Sequence, residues 1–292
     1  MNASLEIDIA HPDGAAAERS WHASLALRFE RRGTKNALTR REHCGPLRVQ
    51  RAFYPEGPGV PHVYLLHPPG GVVGGDTLAI HADVDEGARG LITTPSAGRV
   101  YRTTDAGLMQ RQQVTATINP SALLEWLPQE NIIFNRANGI NETRFDLQGD
   151  AKLIAWDICC LGRPVGNEPF IQGRFEQNLQ IYREGEPLLL ERFFLDGASN
   201  VQQSQWGLRG FTVFATMVAT LADAALIADL KSSLQHVGDD FCLAFTQKKE
   251  LLIARYLGHS AIQARTLFSH SWKRIRPAVA DTAACEPRIW HT

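Results

Sequence analysis

Four acidic residues stand at positions where a carboxylate is unexpected. Asp76 follows a glycine-rich turn. The other three each interrupt an apolar run that is typical of a strand buried on both faces: Glu125, Asp157 and Glu191. A carboxylate in such a strand must be paired, hydrogen-bonded, or turned towards water or a cation. The pattern therefore predicts either an internal polar passage for a divalent cation or a set of buried salt bridges, and oxygen ligands do not choose among divalent ions.

The turn before Asp76 has the spacing of a phosphate-binding loop with the wrong charge. An acid stands where that loop requires lysine, and the following TLAIHADV alternates like a strand, so nucleotide binding is not predicted. His67, beside this turn, is a further candidate for the passage, although a single histidine is more often structural. We predict positive φ angles or close backbone approach at four glycines: Gly70, Gly71, Gly74 and Gly75.

The sequence contains no conventional catalytic motif or fixed metal site. Its ten histidines are dispersed, without H-x-H or H-E-x-x-H spacing, and Ser96 lacks the G-x-S-x-G elbow. The five cysteines are an odd number without C-x-x-C spacing, which predicts reduced thiols. A β-fold metallohydrolase needs three His or acidic side chains that converge on one point, and the dispersed histidines do not indicate such a cluster. We therefore predict that the protein is not an enzyme.

Short strands must position these residues. Strand-length segments separated by Gly, Pro, Asn or Asp recur through most of the chain. RRGTKN and REGEP are predicted to be hairpin turns, and DEGARG is predicted to join TLAIHADV and GLITTP in another hairpin. The pattern predicts a mainly β fold, either a sandwich or a coiled β-solenoid of many short strands.

Two helices are predicted in the C-terminal third. The first has Asp223 as its N-cap and ends at Gly238. The second stops before Pro277 and buries one face: Ile262, Leu267, Trp272 and Ile275. Basic residues flank Trp272, so an exposed aromatic anchor for a partner remains an alternative to simple packing on the sheet.

Composition and charge limit the classes of partner. The 292 residues carry a formal net charge of −1, so neither nucleic acid nor an anionic membrane is an expected partner. No Ser/Gly/Pro-rich linker is visible, which predicts a single domain over residues 21–292 after a flexible N-terminus at 1–20. The N-terminus lacks the apolar region of a secretory signal, and no apolar run is long enough to span a bilayer, so we expect a cytoplasmic protein.

Five segments together resemble the urease accessory protein D family, which is called H in some species. In chain order they are LLHPPGGVVGGDTL, LITTPSAGRVYRT, LEWLPQENIIF, AWDICCLGRP and PRIW. The resemblance covers roughly Leu25 to Trp290 in the same order throughout. It implies a mainly β scaffold with a few helices and no enzymatic activity.

The resemblance also implies partners and a cargo. Members of the family bind apo-urease and the accessory protein F, which recruits the GTPase accessory protein G, and the assembly delivers nickel to urease. A mechanism proposed for the family passes Ni²⁺ through an internal channel. The expected metal is therefore transient Ni²⁺, with no permanently bound cofactor.

Two hypotheses follow for the acidic residues. In the first, Asp76, Asp157 and Glu191 line a nickel passage, with Glu125 and His67 as further candidates. In the second, the chain is a pure docking scaffold and the same acids form internal salt bridges with arginines. A solvent-lined channel that touches the acids favours the first, and arginine-paired acids in a dry core favour the second.

Overall fold

The computed structural model describes residues 20–103 and 107–291. The predicted flexible N-terminus, apart from Ser20, lies outside the described residues, and the single-domain assignment stays a prediction. The predicted mainly β fold with two helices in the C-terminal third is confirmed.

Eighteen strands and two α-helices lie within the described residues. The first nine strands are β1 (His22–Arg32), β2 (Lys35–Cys44), β3 (Arg48–Val49), β4 (His62–Leu66), β5 (Thr77–Val84), β6 (Arg89–Thr93), β7 (Gly98–Val100), β8 (Gln110–Ile118) and β9 (Leu123–Trp126). The next six are β10 (Asn131–Ile133), β11 (Asn138–Leu147), β12 (Lys152–Leu161), β13 (Arg174–Arg183), β14 (Glu186–Asp196) and β15 (Val213–Thr220). The remaining elements are α1 (Ala224–Leu234), β16 (His236–Val237), β17 (Phe241–Lys248), β18 (Leu251–Gly258) and α2 (Ala261–Ala280).

The strands form two sheets. The outer sheet has the order β14-β13-β11-β8-β5-β1-β2, with parallel pairing from β1 through β13 and an antiparallel hairpin at each end. The central sheet follows the path β16-β17-β18-β15-β12-β9-β6-β4-β3, and β10 attaches β7 to β12. Both predicted hairpin turns at the ends of the outer sheet, RRGTKN and REGEP, are confirmed.

The chain alternates between the sheets as it advances. β5, β8, β11 and β13 lie side by side in the outer sheet, while β4, β6, β9 and β12 lie side by side in the central sheet, in each case in parallel. This arrangement is a two-sheet β-solenoid, one of the two predicted architectures. The predicted hairpin through DEGARG is wrong, because β5 and β6 belong to different sheets and the turn is a corner between them.

Two hydrophobic cores separate three layers. The first core fills the space between the sheets and includes Phe29, Trp126 and Phe175. The second lies between the central sheet and the helices and includes Trp156 and Trp272. Each strand of the central sheet therefore contributes alternate residues to alternate cores, since successive side chains point to opposite faces.

The predicted N-cap of the first helix is confirmed, whereas both helices end at residues other than those predicted. Asp223 accepts hydrogen bonds from two backbone amides at the start of α1, as predicted, but α1 ends at Leu234 and not at Gly238. α2 continues through Pro277 to Ala280, where Asp281 in the left-handed conformation caps it. Ile262 is exposed, contrary to the prediction, while Trp272 is fully buried, which excludes it as an exposed anchor.

A buried ion-pair network attaches α2 to the sheet. Arg276 is fully buried, and its Nε lies 3.0 Å from both carboxylate oxygens of Glu125. Its two terminal nitrogens donate to Glu56 at 2.7 and 2.8 Å, and Glu56 also contacts His62 Nε2 at 2.8 Å. Trp272 Nε1 donates to Glu125 at 2.7 Å. One buried guanidinium therefore bridges two carboxylates from different parts of the chain.

Replacement of Arg276 by methionine should destabilise the protein strongly. Removal of one partner leaves uncompensated buried charge, which costs about 3–5 kcal/mol. Arg274→Met, on the same helix, is the matched control because its ion pair with Asp229 is largely exposed and should contribute less than about 1 kcal/mol. Equilibrium urea unfolding of both variants measures the difference, and similar small losses would contradict a structural role for the network.

Candidate internal passage

Two cavities lie between the sheets. The loop cavity, about 330 Å³ in volume, lies beneath the glycine turn and includes His67, Gln112 and Asn131 in its wall. The edge cavity, about 300 Å³, lies towards the open side of the sandwich and is bounded by Gln177 and Glu191, among others. Asp157 belongs to the walls of both cavities.

The loop cavity gathers four segments that are distant in sequence. Its wall takes Leu65–Leu78 in part, residues 94–100, residues 126–131 in part, and Asp157. Each of these belongs to a different one of the motifs on which the family resemblance rests. The segments meet because β4, β6, β9 and β12 are neighbours in the central sheet and end near the same cavity.

Asp157 faces the space between the sheets without a charged partner. Odd-numbered residues of β12, such as Cys159, point to the core between the sheets, and Asp157 follows the same alternation. Gln177 Nε2 donates to its Oδ2 at 3.2 Å, and Thr143 donates a second hydrogen bond. Within the described residues no basic side chain forms an ion pair with Asp157.

Burial shifts the protonation of Asp157. Loss of bulk water raises the pKa of this carboxyl to about 7, and the hydrogen bond from Thr143 opposes the shift only in part. By accessible surface the residue is half-buried, and it belongs to the walls of both cavities. Asp157 is therefore poised between a neutral and a charged form near neutral pH.

Uncharged polar side chains continue the polar surface on the outer sheet. Gln112, Asn141 and Gln177 are cross-strand neighbours on β8, β11 and β13. The last two are buried, and Asn141 Nδ2 has no acceptor among the described residues. The amide oxygens of these side chains are weak ligands for a cation. A cation would dissociate from them readily, because the side chains carry no charge.

Glu191 lies at the open side of the sandwich. It belongs to β14, the edge strand of the outer sheet, and its carboxylate accepts hydrogen bonds from Thr216 Oγ1 at 3.1 Å and from Arg255 Nη2 at 3.0 Å. Thr216 is the cross-strand neighbour of Asp157 on β15. The structure therefore brings Asp157 and Glu191 to the same cavity.

Asp76 holds the glycine turn together. Its two carboxylate oxygens accept hydrogen bonds from the backbone amides of Trp21 and Val73, each at 3.0 Å, and the residue is only 6% exposed. It does not belong to the wall of either cavity. The carboxylate fixes the shape of the turn, so the prediction that Asp76 itself lines a passage has to be corrected.

The glycines allow the turn to pack closely. Gly70 and Gly75 have φ angles of 77° and 89°, in the left-handed region. A Cβ on Gly71 would lie 2.6 Å from the carbonyl oxygen of Arg99, and a Cβ on Gly74 would lie 2.7 Å from Thr103 Oγ1. The turn is therefore pressed against the segment that follows β7.

His67 is half-buried in the wall of the loop cavity. Burial lowers the pKa of its imidazole, and the negative charge of Asp76 opposes this effect. A neutral imidazole at neutral pH offers a nitrogen lone pair, which is the form that binds a metal ion.

Glu125 is not brought to the passage. β9 directs it towards the helices, where it is fully buried and bound by Arg276 and Trp272. The neighbouring Trp126 faces the core between the sheets instead. Glu125 is therefore a structural acid of the helix layer, and its inclusion with the passage acids has to be corrected.

Sequence reasoning missed the residues that complete the site. Gln177, Thr143 and Thr216 have ordinary polar side chains in alternating strands, so nothing in the sequence distinguishes their inward position from an outward one. Arg255 was missed for the same reason. Only the sheet register, which places them beside Asp157 and Glu191, reveals them.

No fixed metal centre is formed in the described part of the chain. Over residues 20–103 and 107–291, no three His, Cys, Asp or Glu side chains converge to hold a metal ion. None of the described helices has the length and apolar character that crossing a membrane requires. The fold and the site together define a β-solenoid whose two interior cavities are largely apolar and carry a few polar and acidic side chains, Asp157 in both.

Comparison with known proteins identifies the family. A family model described as UreD urease accessory protein matches residues 22–291. The urease accessory protein UreD of Saccharophagus degradans is 42% identical, with 100% of both chains covered. The protein of that name from Pseudomonas fluorescens is 43% identical, covering 94% of this chain and 96% of its own. The chain therefore belongs to the UreD family, whose members are accessory proteins of urease and not enzymes.

The buried carboxyl of Asp157 should make stability depend on pH. Its pKa of about 7 exceeds the ordinary value, so between about pH 4 and 7 the folded state keeps a proton that the unfolded chain has lost. Stability attributable to this group therefore falls as pH rises through that range and is level above it. Asp157→Asn mimics the neutral form. Its free energy of unfolding, relative to that of wild type, should therefore rise by roughly 2–4 kcal/mol as the pH increases from 5 to 8.

Urea unfolding of both proteins at pH 5 and pH 8 measures this change. Glu176→Gln is the control, since Glu176 lies on the solvent face of β13 in an ion pair with Arg192. That ion pair and other hydrogen bonds lower the pKa of Glu176, so the control should show no gain at pH 8. Parallel pH curves for wild type and Asp157→Asn would contradict the assignment of a raised pKa.

Proposed function

We propose that this chain is a cytoplasmic metallochaperone scaffold that conducts Ni²⁺ towards urease during maturation of the enzyme. The loop cavity and the edge cavity form successive parts of one passage, and Asp157 is the carboxylate that a passing ion meets between them. Accessory protein F binds the scaffold and brings the GTPase accessory protein G, while apo-urease receives the nickel.

The position of Asp157 carries the proposal. It is an acid without a charged partner, and it stands in the walls of both cavities. The ionised form of such a carboxylate is costly where no charged partner is present, and a cation at this position would offset that cost. An arriving Ni²⁺ would stabilise the ionised form, so the ion and the proton would exchange at this position.

Weak and dispersed ligands suit transport. A conduit must bind an ion strongly enough to admit it and weakly enough to release it, whereas a cage of thiolates and imidazoles would retain it. In the proposed passage His67, Asp157 and Glu191 are charged or coordinating groups in separate places, with amide and hydroxyl oxygens between them. Asp76 fixes the glycine turn, which forms part of the wall of the loop cavity.

A pure docking scaffold is the second candidate. Two of the predicted acids, Glu125 and Glu191, are paired with arginines, as that hypothesis expects. In that case nickel would travel on the partner proteins alone and the cavities would have no role in its transfer.

The decisive experiment replaces Asp157 by alanine in the co-expressed accessory complex. We expect assembly with F, G and apo-urease to persist and the nickel content of purified urease to fall at least about tenfold, because the charged group of the passage is lost. Glu176→Ala is the matched control, as that acid precedes Gln177, the hydrogen-bond partner of Asp157, on β13 but lies on the solvent face of the outer sheet. Both nickel content and complex composition are measured for each variant.

Three outcomes separate the candidates. Loss of nickel with an intact complex supports the passage. Normal nickel content with an intact complex rejects it and leaves the docking scaffold. Loss of the complex itself would show that Asp157 acts in assembly, and this too would reject the passage.

A further inference from the structure

An ion pair between Glu191 and Arg255 stands in the wall of the edge cavity, on its solvent-exposed side. Glu191 lies on β14, at the edge of the outer sheet, and Arg255 lies on β18, in the central sheet. Arg255 Nη2 lies 3.0 Å from Glu191 Oε2, and its Nε lies 3.4 Å from Oε1. The pair therefore joins the two sheets across the open side of the sandwich.

Arg255 stands in line with Asp157. Thr216 is the cross-strand neighbour of both residues, Asp157 on one side and Arg255 on the other. Neighbouring strands are about 4.8 Å apart, so the row from Asp157 to Arg255 spans roughly 10 Å. An ion that leaves Asp157 in this direction meets Glu191 and Arg255 together.

In this arrangement Glu191 cannot serve a metal ion well. The guanidinium and the Thr216 hydroxyl occupy both of its oxygens. The positive charge of Arg255 also repels a divalent cation that approaches the same carboxylate. A second arginine stands at this rim, where Arg209 Nη1 donates to the Sγ of Cys242, another residue of the cavity wall.

The ion pair is exchangeable, unlike the one in the helix layer. The side chain of Arg255 is 47% exposed and that of Glu191 is 29% exposed, whereas Arg276 and Glu125 are both fully buried. Exposed pairs contribute little net stability. A competing anion from solvent or from another protein can therefore reach the Arg255 guanidinium.

We propose that Arg255 is the gate that determines whether the edge cavity accepts divalent cations. While it holds Glu191 the outer end is closed, and a carboxylate of a docked partner protein opens it by taking the guanidinium away. The inference rests on the proposed passage. It makes release of nickel conditional on a partner, so the ion is not lost to solvent from the scaffold alone.

The first test measures nickel binding to the isolated protein by equilibrium dialysis. Arg255→Met frees the Glu191 carboxylate and should tighten Ni²⁺ binding about tenfold or more, because a nearby positive charge is removed. Arg255→Lys retains the charge and should stay near wild type. The double variant Arg255→Met with Glu191→Gln should lose the gain.

Arg192→Met is the matched control. Arg192 also forms a two-point ion pair with a glutamate, Glu176, but on the solvent face of the same sheet. It should leave nickel binding unchanged, and thermal unfolding of all variants verifies that they are folded. Equal nickel affinity in wild type and Arg255→Met, or an equal gain in Arg192→Met, would overturn the gate.

The second test adds the partners. Addition of accessory protein F or apo-urease should raise the nickel affinity of wild type towards that of Arg255→Met and leave Arg255→Met unaffected. No change with either partner would overturn opening by docking.

Failure of the gate differs from failure of the passage. If only the gate is wrong, Asp157→Ala still stops nickel transfer while Arg255→Met binds nickel as wild type does. If the passage is wrong, Asp157→Ala leaves nickel transfer to urease intact.

Discussion

Parallel pairing between successive coils is the constraint on which the rest of this structure depends. Each strand of the coil hydrogen-bonds to strands from the coils before and after it, so residues far apart in sequence stand at one height. Because side chains alternate across each sheet, this register decides which polar groups share the interior. The row of Gln112, Asn141 and Gln177 exists for this reason, and so does the convergence of four motif segments on the loop cavity.

Buried charge is handled in two different ways in the two layers. Between the central sheet and the helices, Glu125 is fully buried and forms an ion pair with Arg276. Between the two sheets, Asp157 has only neutral hydrogen-bond donors and faces cavities. The first arrangement attaches α2 to the central sheet. The second leaves a carboxyl group that can lose its proton when a cation binds. The difference between the layers separates structural acids from those of the proposed passage.

Much of the fold could be predicted from the sequence, because alternating strands, hairpin turns and helix caps are local signals. The mainly β fold, the hairpin turns RRGTKN and REGEP and the N-cap at Asp223 belong to this group, whereas the choice between a sandwich and a coiled β-solenoid stayed open. The hairpin at DEGARG was wrong because alternation reveals a strand but not its partner. α2 passes Pro277 because its last turn is held by Asp281 and by the ion pairs of Arg276, which are contacts distant in sequence. Glu125 and Asp157 give the same sequence signal, and only the register of β9 and β12 shows that they face opposite layers.

The charge network of α2 also orders the assembly of the chain in time. Glu56 and Glu125 lie in the first half of the sequence, while the guanidinium that pairs with both comes from residue 276. In a chain synthesised from the N-terminus, Glu56 therefore precedes Arg276 with His62 as its remaining partner, while every hydrogen-bond donor to the Glu125 side chain among the described residues comes from α2. The contacts that bind Glu125 become available only once α2 has been synthesised. A chain truncated before α2 would expose the apolar face of the central sheet that α2 covers, and the Glu125 carboxylate on that face would lack its partners Arg276 and Trp272.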